Sequence, residues 1–237
     1  MSVNVNTVYQ RVLAITNKEQ RGYITPQEFN TMANQAQLDI FEQYFYDLNQ
    51  FARLPGNSTE YSDMLDILEE KISLFEKQSS LGAYDTSHYN LPTDLYRIGS
   101  VIYNNNVSGT IIAIEAEQIN QKEWLYIQKS PLSKPTDSFP IYIKNQDGLK
   151  VYGAAEITAD NAINCNYIKQ PTPVTWAANA TVGTYNDSAS THFELHKSEE
   201  TELVVKILAL GGLVLKDPQL YQIGSAEDVK NVQQEKA

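Results

Sequence analysis

Cysteine is nearly missing from this chain: Cys165 is the only one in 237 residues. One thiol excludes an internal disulfide framework and a cysteine-based zinc site. Histidine is scarce too, at three residues, and basic clusters are absent. The 18 Lys and Arg against 29 Asp and Glu give a net charge of −11. The longest run of like charge is a pair, such as Glu69-Glu70 or Glu199-Glu200. A general nucleic-acid binder needs clustered Lys and Arg against the phosphate backbone, so that class is excluded. No apolar stretch approaches the ~18 residues of a membrane span. The longest, from Leu203 to Leu215, is interrupted by Lys206 and by Gly211-Gly212. Met1 to Gln10 shows no basic region followed by an apolar run, so no secretory leader is expected. The matches to Asn-x-Ser/Thr at Asn57, Asn106, Asn179 and Asn186 are then expected to be chance. The expectation is a soluble, acidic protein made in a reducing cytoplasm.

Amides and tyrosines are abundant: 19 Asn, 17 Gln and 15 Tyr. Neutral polar and aromatic surfaces suit protein contact better than chemistry. The first third reads as helix. Val5, Val8, Val12 and Ile15 recur at helical spacing, and Gly22 follows as a stop. Ile24-Thr25-Pro26-Gln27-Glu28-Phe29 is the clearest local signal. Thr25 is an N-cap, Pro26 takes the first helical position, Glu28 completes a capping box, and Ile24 and Phe29 form a hydrophobic staple. The apolar stripe from Phe29 to Phe51 predicts a helix of about 28 residues, roughly 42 Å long at ~1.5 Å per residue. Tyr61, Leu65, Leu68, Ile72 and Phe75 form a heptad-like seam on a third helix whose other faces are acidic.

Around Gly82 the period changes to that of short strands. Arg97 to Tyr103 and Thr110 to Ile114 flank Asn104-Asn105-Asn106, which reads as a turn. Ala116 to Gln128 reads as a short helix inserted among strands, with Ile119, Trp124 and Ile127 on one side. Asp147-Gly148 between two alternating runs is a hairpin signal, because the pair supplies positive-φ residues. Helix returns after Ser198, with Glu199, Glu200 and Glu202 in its first turn. The tail from Gln219 to Ala237 carries too few apolar residues to pack alone, so it is expected to be either frayed or ordered by a partner. The predicted fold class is α+β: a helical bundle of long helices, a small antiparallel β-sandwich or barrel domain and a C-terminal arm. The expected divisions are a bundle at 1–82, the β-domain at 83–190, a closing helix at 191–217 and the arm at 218–237.

The search for chemistry returns no catalytic, cofactor-binding or metal-ligating set. His192 and His196 are four apart, but Phe193 follows His192, so the helical zinc-protease pattern is absent. His88 reads as a strand-edge residue. Gly211-Gly212 belongs to no phosphate loop and reads as a close-packing point or bend. The carboxylates of the third helix read as a solvated face. Cys165 has no basic neighbour to activate it. Asp94 and Arg97, in Leu91-Pro92-Thr93-Asp94-Leu95-Tyr96-Arg97, are close enough to pair across a structural corner that launches the sheet, the alternative being an inter-subunit contact. Trp124 and Trp176 leave a second reading open, a virion protein that binds a receptor or carbohydrate by stacking on sugars.

The order of these pieces carries a resemblance. Helices come first, then Leu91-Pro92-x-Asp94-x-x-Arg97-x-x-Ser100-Val101 leading into a sheet with a hairpin. Phe193-Glu194-Leu195 then precedes a closing helix ending in Lys216-Asp217-Pro218. This arrangement resembles the head-to-tail connector proteins of short-tailed DNA bacteriophages, also called adaptor, ring or tail tubular proteins. Tyr23-Ile24-Thr25-Pro26-Gln27-Glu28-Phe29 and Gln37-Leu38-Asp39-Ile40-Phe41 are similar to segments of ring proteins from crAss-like and marine podophages. The resemblance implies a non-enzymatic virion protein, assembled in the host cytoplasm. It implies a ring, typically twelvefold, that joins the portal to the tail and continues the DNA channel. It implies partners in the portal, further tail or ring proteins and other copies of itself. DNA would pass without specific binding, and an acidic surface suits that passage. The portal-binding residues implied are Leu220, Tyr221, Ile223, Val229 and Val232.

Overall fold

The computed structural model describes residues 2–18, 24–53, 59–107, 109–179 and 183–214, and near the C-terminus 222, 224, 226, 229 and 230. The chain divides into two compact units, one formed by 1–74 with 171–237, the other by 75–170.

The first unit is helical with a small two-stranded sheet. Helix α1 (Val5–Lys18) is capped by Asn4, whose Oδ1 accepts from Asn6 N at 2.8 Å. Its Val5, Val8, Tyr9 and Val12 are buried. Helix α2 (Pro26–Arg53) opens on the capping box written in the sequence. Thr25 N donates to Glu28 Oε2 at 2.9 Å, and Glu28 N donates to Thr25 Oγ1 at 3.3 Å. Those bonds from Thr25 hold the Glu28 carboxyl below its usual range. Ile24 and Phe29 are both buried. Helix α3 (Thr59–Ser73) buries Leu68 and Ile72, and helix α5 (Glu200–Val214) buries Leu203, Val204, Ile207 and Leu208. Gly211 of α5 lets Ile24 and Met32 approach closely; a Cβ there would sit 3.3 Å from Ile24 Cδ1. Strand β1 (Ser2–Val3) pairs antiparallel with β10 (Phe193–His196).

An amide ladder on α2 ties the extended segment after 170 into this unit. Asn30 Oδ1 accepts from Trp176 N at 2.7 Å, and Asn30 Nδ2 donates to Trp176 O at 3.2 Å. Asn34 repeats the pattern on Val174, at 2.6 and 2.9 Å. Gln37 Nε2 donates to Thr172 O at 3.0 Å and its Oε1 accepts from Glu194 N at 3.2 Å. Residues 30, 34 and 37 share one helix face, so their amides act as a surrogate strand for backbone that would otherwise lose its partners on burial. Part of the amide richness therefore serves the interior of this unit.

The second unit is one curled sheet of eight strands, ordered β2-β9-β5-β6-β7-β8-β4-β3. The strands are β2 (Glu76–Ser80), β3 (Tyr84–Asp85), β4 (His88–Tyr89), β5 (Leu95–Val107), β6 (Thr110–Gln118), β7 (Ile141–Lys144), β8 (Leu149–Tyr152) and β9 (Ile163–Lys169). Helix α4 (Gln121–Lys129) lies between β6 and β7. The concave face buries Tyr89, Val101, Ala116, Tyr142, Leu149, Val151, Ile163 and Cys165 in one core.

The expected fold class does not hold. Only α2, at 28 residues, is long; α1, α3, α4 and α5 have 14, 15, 9 and 15 residues. Among the described residues there is no bundle of long helices. The β-part is a single mixed sheet rather than an antiparallel sandwich or barrel, because β6 and β7 pair parallel, Glu117 with Ile141 and Gln118 with Tyr142. Insertion of α4 lets the chain return in the same direction, which a tight hairpin cannot do. The third-helix seam stops at Ser73, and Phe75 already leads into β2. Glu76-Lys77-Gln78-Ser79-Ser80 has little intrinsic strand preference; pairing with β9 imposes its conformation. Asn104-Asn105-Asn106 lies inside β5, and the chain reverses later, with Gly109 at φ 89°. Of the expected C-terminal arm, residues 222, 224, 226, 229 and 230 are described; they are helical, and Gly224 is buried against α5, where a Cβ would meet Ala209 Cα at 2.9 Å.

Candidate docking surface

Residues 107–139 of the sheet unit hold an unusual share of exposed apolar side chains. Among the described residues thirteen large hydrophobics are exposed, and seven fall in this stretch: Val107, Ile111, Ile112, Leu125, Tyr126, Leu132 and Phe139. Three local structures present them.

The first is a ribbon. β5 pairs with β9 as far as Tyr103 with Ile163, while its pairing with β6 continues to Val107 with Thr110. Residues 104–107 and 110–113 therefore form a two-stranded extension about 14 Å long at ~3.4 Å per residue. Val101 and Ala116, paired at its root, are buried in the core. The same face runs outward through Tyr103 and Ile114 to Ile112 and Val107, 47% and 48% exposed. The core's apolar stripe thus continues onto the ribbon, and Ile111, 68% exposed, occupies the opposite face. At the tip Gly109 N donates to Asn106 Oδ1 at 3.0 Å.

The second is helix α4. Trp124 and Ile127 pack on Ile119, Ile141 and Ile143, and Trp124 stacks on Tyr152 with centroids 4.0 Å apart. None of its residues is fully buried. Leu125 and Tyr126 point away from that anchor into solvent. The third is the loop before β7. Thr136 and Phe139 exchange backbone hydrogen bonds at 3.0 and 3.3 Å, forming a tight turn that displays Phe139. Asp137 Oδ1 pins the turn by accepting from Ala154 N at 2.9 Å. Gly153 allows this approach, since a Cβ there would lie 2.5 Å from that oxygen. Between the loop and strands β5, β6 and β7 lies a cleft of about 730 Å³, lined by Ser100, Ala116, Leu132, Pro135, Phe139 and Tyr142 among others.

Of the portal-binding residues implied by the resemblance, Leu220, Tyr221, Ile223 and Val232 lie outside the described residues. Val229 is helical and exposed, on the same side as Gln222, Ala226 and Lys230, with Gly224 turned inward. His196 lies in β10, and its Nδ1 accepts from Ser198 N at 3.3 Å. His192 sits before the strand, with Nδ1 accepting from Val5 N at 3.5 Å and Nε2 3.5 Å from Asp187. His88 bonds to Ser87 and Asn90. Among the described residues no group of three His, Cys, Asp or Glu comes together as a metal site. Asp94 is held by Lys77 Nζ and Tyr167 OH, both at 2.8 Å, and these bonds lower its pKa. Those partners replace the expected pairing across the corner as the reason for an acid at 94. Burial pushes the Cys165 thiol up to about 11. Trp176 is buried, with Nε1 donating to Asn6 Oδ1 at 3.1 Å and the ring 4.7 Å from Tyr9.

Sequence reasoning did not find the ribbon. A signal was present: Ile111 and Ile112 are consecutive in a strand, which makes both faces apolar, yet Asn104-Asn105-Asn106 lies opposite. A strand apolar on both faces normally sits inside a covered sheet. Compared with known proteins, the chain matches no family model and no curated protein.

Proposed function

We propose that this chain is a structural assembly protein that acts by docking, and specifically a head-to-tail connector that joins a phage portal to its tail. The observation that carries the docking reading is the crowding of seven exposed large hydrophobics into residues 107–139. Large apolar side chains left exposed in such number within one stretch favour an interaction site over a solvated surface. The order of sequence motifs supports the connector assignment. Net charge supports it too, because an acidic wall repels the DNA that must slide past it. In this reading the virion is the protein's location, the portal and tail proteins are its partners, and other copies complete a ring. Both tryptophans are engaged within their own units, Trp124 on Tyr152 and Trp176 on Tyr9, which leaves the carbohydrate-binding reading without specific support.

The test is direct. Negative-stain images of the cognate portal mixed with the full chain will show an added ring layer. Portal that gains no layer at any ratio would contradict the connector assignment.

A further inference from the structure

We infer that the docking face is two-sided: the β5–β6 ribbon of one copy seats in the cleft beneath the 132–139 loop of a second copy. The inference rests on the docking reading of this face and adds to it the partner and the two mating surfaces.

Three observations support a second copy as the occupant. The first is shape. One unit carries a ribbon and, at the root of that ribbon, an open recess of about 730 Å³ lined by Ser100, Ala116 and Glu117 among others, which the ribbon of the same copy leads away from. A protrusion and a recess on the same body satisfy each other only between copies, and such a contact is heterologous, the kind that closes rings.

The second is charge at the tip. Ile98 to Ile114 contains no charged residue, in a chain of net charge −11. Two acidic copies repel, and a contact between them is least opposed where the inserted element is neutral.

The third is backbone. β7 pairs with β6 only at Glu117 and Gln118. Among the described residues no strand covers the outer edge of β6 from Thr110 to Ala116. That edge carries no Pro and no bulge, and from Thr110 to Ile114 no charge, Glu115 alone being charged, so most of it lacks the usual devices that keep a bare edge from pairing.

Disulfide trapping of the full chain tests this, with Cys165 silent because it is buried and its thiol is held protonated. Two single variants, Ile111→Cys and Phe139→Cys, replace exposed side chains, 68% and 78% accessible, so both are expected to fold. They are mixed and oxidised with copper–phenanthroline. The expected result is a mixed 111–139 dimer as the main product. Adding Ile112→Asp to the ribbon variant should lower its yield about tenfold or more, the change for losing one buried apolar anchor. A dominant 111–111 product would overturn the inference in favour of a two-fold contact. No cross-link, or one insensitive to Ile112→Asp, would overturn it in favour of a different occupant for this face. The outcomes separate from those of the connector assignment. A failed trap with a ring layer still forming on the portal defeats only this contact. A successful trap with no layer on the portal defeats only the connector assignment.

Discussion

Lys71 and Glu199 show how much one buried pair can carry. Glu199 is 3% exposed, its Oε1 lies 2.7 Å from Lys71 Nζ, and the same ammonium sits 5.4 Å from the centre of the Tyr44 ring. Burial alone would raise the Glu199 pKa, but the hydrogen bond and charge of Lys71 outweigh it and hold the carboxyl below its ordinary 4.5. The folded state therefore binds this proton less readily than the unfolded chain. The stabilisation is complete above the ordinary value and is lost as pH falls through the folded one. Lys71→Met, which strands the buried carboxylate, should cost about 3–5 kcal/mol in urea unfolding at neutral pH, and adding Glu199→Gln should recover part of that. At Cys165 the thiol, raised to about 11, should resist a thiol reagent at pH 8 in the native protein and react fully in denaturant.

Among the elements, the ladder of Asn30, Asn34 and Gln37 makes α2 the frame for the segment after 170. Asn34→Ala leaves Val174 N and O without the bonds at 2.6 and 2.9 Å, and should cost about 1–3 kcal/mol in chemical unfolding. Glycine has a different role in the β7–β8 hairpin from the one its sequence suggests. Gly148 has no positive φ; a Cβ on it would collide with the carbonyl oxygen of Tyr89 in β4, which pairs with β8 at Leu149. Gly148→Ala should destabilise the sheet unit by about 1–3 kcal/mol, read as a lowered midpoint in urea. These cases mark what the sequence could disclose. The start of α2 was legible residue by residue, because Thr25, Pro26 and Glu28 act within one turn. The strand Glu76–Ser80 was not, because its conformation comes from β9, nearly ninety positions away. The ribbon was equally hidden, since Ile111 and Ile112 make both faces of β6 apolar, the pattern of a covered strand, whereas both are exposed.

For the whole molecule, the sheet unit joins a packed concave core to a projecting apolar face, and net charge keeps most of the remaining surface acidic. Burying side chains of this size yields roughly 1.5–3 kcal/mol each, so a few of the seven suffice to hold a partner. Their removal should leave the unit folded, because exposed positions away from caps and cores usually change stability by about 0.5 kcal/mol or less. Ile111→Asp with Phe139→Asp should therefore unfold at nearly the wild-type urea midpoint while losing its capacity to assemble. Electron microscopy of the cognate portal, mixed in parallel with wild-type chain and with this folded double variant, tests the claim that the protein works by docking through residues 107–139. Wild type is expected to add a ring layer and the variant to add none; equal layers from both, or a layer from neither, would contradict it.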